Sequence, residues 1–310
     1  MGIAIAAGMP VFSGTTIPVI YPKELRVKMY KKTIATNLCS LDLQNQLKKM
    51  GDTARVRIPP VVHRKTGVAG AKMVAETPGL TYIDFTINKR FYYDLLLDNV
   101  ISQQSDVDIM AAYEEAMVKD NGVQTDADIF EILDAGAAAA NQGATAGVET
   151  SDYNLGATGA SIPVTEINAP DVLADLLFTL KEQNVEDDDM TSLAVPQWYL
   201  RRLVTSEFKE ANLTGDPSST LRSGWKGNIF GVQLFSSNNM YKTTDATDSN
   251  VCYRALALHK AAAAFAQTIT EMRVVEPTEY MAKELQLEVV YDGKVMNPDL
   301  LATAYIRPSK

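Results

Sequence analysis

The stretch Gly51-Asp52-Thr53-Ala54-Arg55-Val56-Arg57-Ile58-Pro59-Pro60 alternates apolar Ala54, Val56 and Ile58 with polar Thr53, Arg55 and Arg57. A period of two is that of a half-buried strand, and the proline pair ends it because proline donates no ladder hydrogen bond. A second alternating run follows at 80–91, with Ile83, Phe85 and Ile87 on one face and Tyr82, Asp84, Thr86 and Asn88 on the other. Between them, 61–79 is rich in Gly, Ala, Lys and Thr. Together these residues predict one long β-hairpin over 53–92. Two strands alone are marginal in water, so either the body of the chain or another copy must cover the apolar face.

Upstream, residues 1–22 are uncharged and punctuated by Gly and Pro, the pattern of an extended arm that lies on something else. Residues 23–49 are richer in helix formers and hold seven basic side chains against two acids. Downstream, Ile109, Ala112, Tyr113, Ala116 and Met117 recur at helical spacing, and the pattern resumes with Ile129, Phe130 and Leu133. One long helix is expected, with a weak point at Gly122. Residues 103–141 hold nine acids (Asp106, Asp108, Glu114, Glu115, Asp120, Asp126, Asp128, Glu131, Asp134) and one base, Lys119. A glycine-rich connection then runs over 135–159.

A second unit begins near Ile162. Pro170-Asp171 opens a helix with Val172, Leu173, Leu176, Leu177 and Leu180 on its apolar face, and Pro196 opens another with Tyr199, Leu200, Leu203 and Phe208. Strands are expected at 192–195, 229–236, 251–258, 273–275, 285–291 and 301–306, with a polar loop over 212–227. This is an α+β chain without the regular repeat of a doubly wound fold.

The 310 residues are 46% hydrophobic and 22% charged, ordinary values for a globular protein. The net charge of −9 argues against a protein gripping nucleic acid over its whole surface. It also conceals an asymmetry, because residues 1–90 carry 14 basic and 5 acidic side chains while the remainder carries 15 and 33. The hairpin's Arg55, Arg57, Arg64, Lys65 and Lys72 therefore face, elsewhere in the same sequence, a helix bearing Asp106, Asp108, Glu114 and Glu115. Opposite charges on two protruding elements favour pairing between copies and set register and encounter rate more than affinity.

Catalytic signals are sparse. His63 and His259 have no second ligand at metal spacing, and Gly293-Lys294 lacks the upstream glycine of a phosphate loop. No nucleophile elbow or dinucleotide fingerprint occurs. Glu186-Asp187-Asp188-Asp189 lacks the spacing of a calcium loop, and Cys39 and Cys252 form no disulfide framework. No signal peptide or 18-residue apolar run is present, so no membrane is expected. No catalytic residue, metal or cofactor is assigned.

The order of elements resembles the major capsid proteins of tailed bacteriophages of the Hong Kong 97 type. Lys48-Lys49-Met50-Gly51-Asp52-Thr53-Ala54-Arg55-Val56 resembles that family's entry into its extended loop. Gly231-Val232-Gln233-Leu234-Phe235-Ser236-Ser237-Asn238-Asn239 resembles its strand ending in a Ser-Asn-Asn turn, and 287–306, with Tyr291-Asp292-Gly293-Lys294-Val295 and Asn297-Pro298, its closing segment. The resemblance implies an N-terminal arm (1–50), an E-loop hairpin (51–92) and a P-domain with a spine helix (93–161). It further implies an A-domain (162–268), returning P-domain strands (269–292) and a closing A-domain strand (293–310).

It also implies hexamers and pentamers of this chain in an icosahedral head around double-stranded DNA contacted non-specifically. A separate scaffolding protein and a portal are the expected partners, with assembly in the host cytoplasm and residence in the virion. Some members crosslink an E-loop Lys to a P-domain Asn. Lys65 and Lys72 are donors of the right kind, but 277–293 holds no Asn, so no crosslink is expected. The alternatives are an encapsulin-type compartment shell and, from another class, a carboxylate enzyme acting through Asp187–Asp189.

Overall fold

A computed structural model of the chain describes residues 33–47, 50–58, 60, 62–67, 70, 72, 75–98, 109–185, 190–206, 228–245, 247, 249–279 and 281–309. Phe208, the expected polar loop at 212–227, the acidic run at 186–189 and the first part of the arm lie outside these residues. The described chain forms two bodies of sheet and helix and a separate hairpin.

The large sheet runs in the order β4 (Ile162–Val164), β12 (Leu301–Pro308), β9 (Val251–His259), β5 (Thr191–Pro196), β7 (Val232–Ser237), β6 (Asn228–Ile229), with β8 (Lys242–Thr244) also paired to β9. All six residues of β5 are buried, the pattern of a central strand covered on both faces. Helix α3 (Ala169–Glu182) lays Val172, Leu173, Leu176, Leu177 and Leu180 into a core shared with Leu193, Val195, Ala255, Ala257 and Ile306. Helix α4 (Gln197–Thr205) adds Tyr199, whose hydroxyl donates to the Ala169 carbonyl at 2.7 Å. The expected strand at 229–236 is two strands. Phe230 and Gly231 both adopt positive φ (53° and 80°), the two-residue turn that fits the twist of a hairpin.

The second body is a three-stranded ribbon in the order β10 (Ala263–Val275), β11 (Ala282–Val295), β3 (Lys89–Asp98), all antiparallel. Helix α2 (Ile109–Gly136) lies on one face, packing Met117, Ile129, Phe130 and Leu133 against Leu285, Leu287, Val289 and Tyr291. It is continuous through Asn121-Gly122, as its apolar pattern predicts. A Cβ at Gly122 would stand 3.4 Å from the Thr33 side chain, an ordinary contact, so only a side chain larger than a methyl group would crowd Thr33 there.

Four expectations change. The run at 80–91 is not one strand: β2 (Thr81–Thr86) pairs with β1 (Thr53–Ile58), whereas β3 leaves to pair with β11. The break falls at Ile87, fully buried, and Asn88, whose N–H donates to the Asp292 carboxylate at 3.1 Å. The helix expected over 23–49 is, among the described residues, a single turn, α1 (Ala35–Leu38). It stops because Ser40 pairs with the ribbon edge, its N–H donating to Ala263 and its carbonyl accepting from Phe265. The strand expected at 273–275 begins at Ala263 and is 13 residues long. Finally, the glycine-rich connection is built rather than loose: Leu155 is fully buried, and Glu182 accepts from the backbone of Glu149 and Thr150.

Candidate inter-subunit interface

The hairpin of β1 and β2 has two unlike faces. Ala54, Val56 and Ile58 share one with Ile83 and Phe85, and their cover fades outward. Ala54 and Phe85 are buried at the root, Val56 and Ile83 are half-buried, and Ile58 is exposed. Among the described residues, the chain's own body therefore covers only the root. Farther out, Val62 (71%) and Leu80 (67%) stand in solvent.

On the charged face, Arg55 lies opposite Asp84 and donates to both its carboxylate oxygens at 2.7 and 2.9 Å. Its guanidinium also sits 4.0 Å above the Tyr82 ring. The bidentate bond holds Asp84 below the ordinary carboxylate range and Arg55 above its own. Glu76 pairs with His63 across the loop at 3.2 Å. Arg57, Arg64 and Lys72 are exposed and form no ion pair among the described residues, and Lys65 is likewise exposed. Thus Arg55 has its partner within the hairpin, while Arg57 presents its charge outward.

The acids of α2 are mostly turned to internal use. Asp120 accepts from the Tyr93 hydroxyl at 3.1 Å, and burial together with Asp120 pushes that phenol up to about 12. Asp128 accepts from the Tyr291 hydroxyl at 2.7 Å and pairs with Lys89 at 3.6 Å. Asp134 meets Arg254 at 3.1 Å, where the guanidinium also lies 4.0 Å above Tyr305, so this pair ties the ribbon body to the large sheet. Asp126 accepts from the N–H groups of Ile34 and Ala35 at 3.0 and 2.6 Å. Burial raises its pKa, and these N–H groups and Asn239 oppose the rise. Glu115 bonds Lys119 one turn later, Glu114 is half-buried and Glu131 is exposed. Asp106 and Asp108 lie outside the described residues.

The sequence missed a second acidic surface on the ribbon face turned away from α2. A shallow groove of about 290 Å³ is lined by Arg90, Tyr92, Asp94, Glu271, Arg273 and Glu288. A neighbouring one of about 490 Å³ is lined by Asp94, Leu96, Pro277, Thr278, Glu279 and Glu284. Five carboxylates there outnumber two guanidiniums, and Tyr92 (79%) and Leu96 (53%) stand exposed among them. A hydrogen bond to Glu284 raises the pKa of Asp94, as expected when two carboxyl groups share a proton. The acids come from strands nearly two hundred residues apart, so no local run of charge reveals them. The only trace is the alternation Glu284, Gln286, Glu288 along β11.

Among the described residues no cluster of His, Cys, Asp or Glu is arranged to hold a metal ion, and no helix is long and apolar enough to cross a membrane.

No family model matches the chain, nor does any curated protein sequence. Solved structures do. One from Mycobacterium phage Che8 is 22% identical, with a TM-score of 0.75 over 94% of this chain and 97% of that one. The capsid of Cyanophage P-SCSP1u is 16% identical, with a TM-score of 0.69 over 95% and 94%. The capsid of Ralstonia phage GP4 is 14% identical, with a TM-score of 0.64 over 99% of both chains. At such low identity what is shared is the path of the backbone, and on that ground the chain has the fold of phage capsid proteins.

Proposed function

We propose that the chain is the major capsid protein of a tailed bacteriophage, a structural subunit without catalytic activity that assembles as hexamers and pentamers into an icosahedral head. The observation that carries this reading is the coverage of the capsid likeness, 94–99% of this chain and of the three structures alike. The two-stranded hairpin is then the E-loop, α2 with the three-stranded ribbon is the P-domain, and the large sheet with α3 and α4 is the A-domain. Packaged double-stranded DNA is contacted non-specifically, and a separate scaffolding protein and portal complete the head.

The contact between copies is the basic hairpin against an acidic, partly apolar surface of its neighbour. The outer face of the ribbon suits that role better than α2, most of whose carboxylates are already engaged within the chain. Arg57, Arg64, Lys65 and Lys72 supply the charge, and Ile58, Val62 and Leu80 the apolar area. Glu114 and Glu115, with Asp106 and Asp108, remain as secondary partners.

Electron microscopy of the purified protein, alone and coexpressed with its genomic neighbours, tests the reading. Closed shells carrying DNA are expected. Shells filled with protein cargo would favour an encapsulin-type compartment, and a small stable oligomer would overturn both.

A further inference from the structure

The segment Thr33–Leu47 touches three separate parts of the molecule in turn. At its start, Ile34 and Ala35 are fully buried, and their N–H groups both point at one oxygen of Asp126, in the middle of α2. Asn239 lies beside Asp126 and its amide donates to the carbonyl of Val123 at 2.5 Å, while the second carboxylate oxygen of Asp126 is buried without a hydrogen-bond partner among the described residues. Midway, Ser40 adds one rung to the edge of β10. At its end, Leu47 is 2% exposed and packs in a small core with Ala54, Phe85 and Ile87 of the hairpin root and Ala266 and Val290 of the ribbon.

That small core is what holds the hairpin to the subunit on its apolar side. Polar ties add to it: Lys294 Nζ donates to the Asp84 carbonyl at 2.8 Å, and Asn88 N–H to the Asp292 carboxylate at 3.1 Å. Leu47, with half-buried Leu43 packed beside it, is therefore built into the root of the hairpin, while the other end of the same segment is fixed to the helix.

We infer that Thr33–Leu47 is a strap that couples the seat of the N-terminal arm on α2 to the root of the hairpin, with Asp126 as the positioning residue that sets its tension. Unseating the arm at Asp126 withdraws Leu47 from the hairpin root, so that two elements distant in function move together. This holds for a single subunit and does not depend on whether copies assemble into a shell.

Hydrogen–deuterium exchange on the full-length, unassembled chain tests it. Asp126→Ala removes the shared acceptor and is expected to speed exchange about tenfold both at 35–40 and in the hairpin strands, 53–58 and 81–86, leaving β9 and β12 at parental rates. Asp126→Asn keeps an acceptor oxygen and is expected to restore the parental pattern. Gly122→Leu leaves the carboxylate intact and crowds Thr33 instead; it should reproduce the Ala pattern, and it decides the question if Asp126→Ala does not fold. Faster exchange at 35–40 with the hairpin at parental rates would overturn the coupling. So would unchanged exchange at 35–40, or loosening that extends equally to β9 and β12.

Discussion

Asp126 is 1% exposed, and the donors that reach it, two backbone N–H groups and Asn239, are neutral. Burial and, after it, the Asp126 charge push the Cys39 thiol up to about 12, so that thiol stays protonated across the neutral range. Because the folded-state pKa of Asp126 is raised, the native state binds its proton more tightly than the unfolded chain does. Its contribution to stability therefore grows as pH falls from neutrality through the raised value, and is complete below the ordinary carboxylate value of about 4. Asp126→Asn removes that dependence. Urea midpoints should show the parent gaining on the variant as the solution is acidified, and a pH-independent difference would refute the assignment. In the sequence Asp126 is one of nine acids on a helix and reads as part of a solvated docking face. Its real partners lie 91 and 92 residues earlier, and no local pattern reports a contact at that distance.

At the scale of elements, the two arginines of β1 separate by role. Arg55 has an internal partner, so Arg55→Asp with Asp84→Arg should restore the pair and assemble as the parent does. Arg57 has none among the described residues, so Arg57→Glu should slow assembly, followed by light scattering, while the thermal midpoint of the isolated subunit stays unchanged. Parental assembly by Arg57→Glu, or failure of the charge swap, would count against the hairpin contact. Elements with a strong period are legible in the sequence: α2, α3, β1, β9 and β12 lie where their apolar spacing puts them. Illegible are the choices that long-range pairing makes. The run at 80–91 has one continuous alternation, yet its end, from Lys89 on, belongs to a sheet whose other strands begin more than 170 residues later. The tail of the basic segment is helical in propensity, but Ser40 finds a strand edge to pair with and the helix ends after one turn.

For the whole molecule, the division of charge between residues 1–90 and the rest remains the most useful global number in the sequence. The structure changes which surfaces express it. With the acids of α2 largely turned inward, the proposed attraction between copies would rest on exposed groups of the hairpin and the outer ribbon face, and salt screens exposed groups most. Raising the ionic strength should therefore weaken assembly steeply while leaving the unfolding midpoint of the isolated subunit almost constant. Parallel loss of both would place the decisive charges in the interior instead. The short break between β2 and β3 matters here as well. Ile87 and Asn88 join two ladders that share no rung, and both residues are anchored, one by burial and one to Asp292. A closed surface tiled from identical pieces needs places of unequal curvature, and each piece must lean differently toward its neighbours there. Asn88, held to the ribbon by one hydrogen bond, supplies two soft dihedrals. In the shell proposed above, small rotations about them would let the hairpin take up the lean with neither ladder broken, so that one sequence fits every position on the curve.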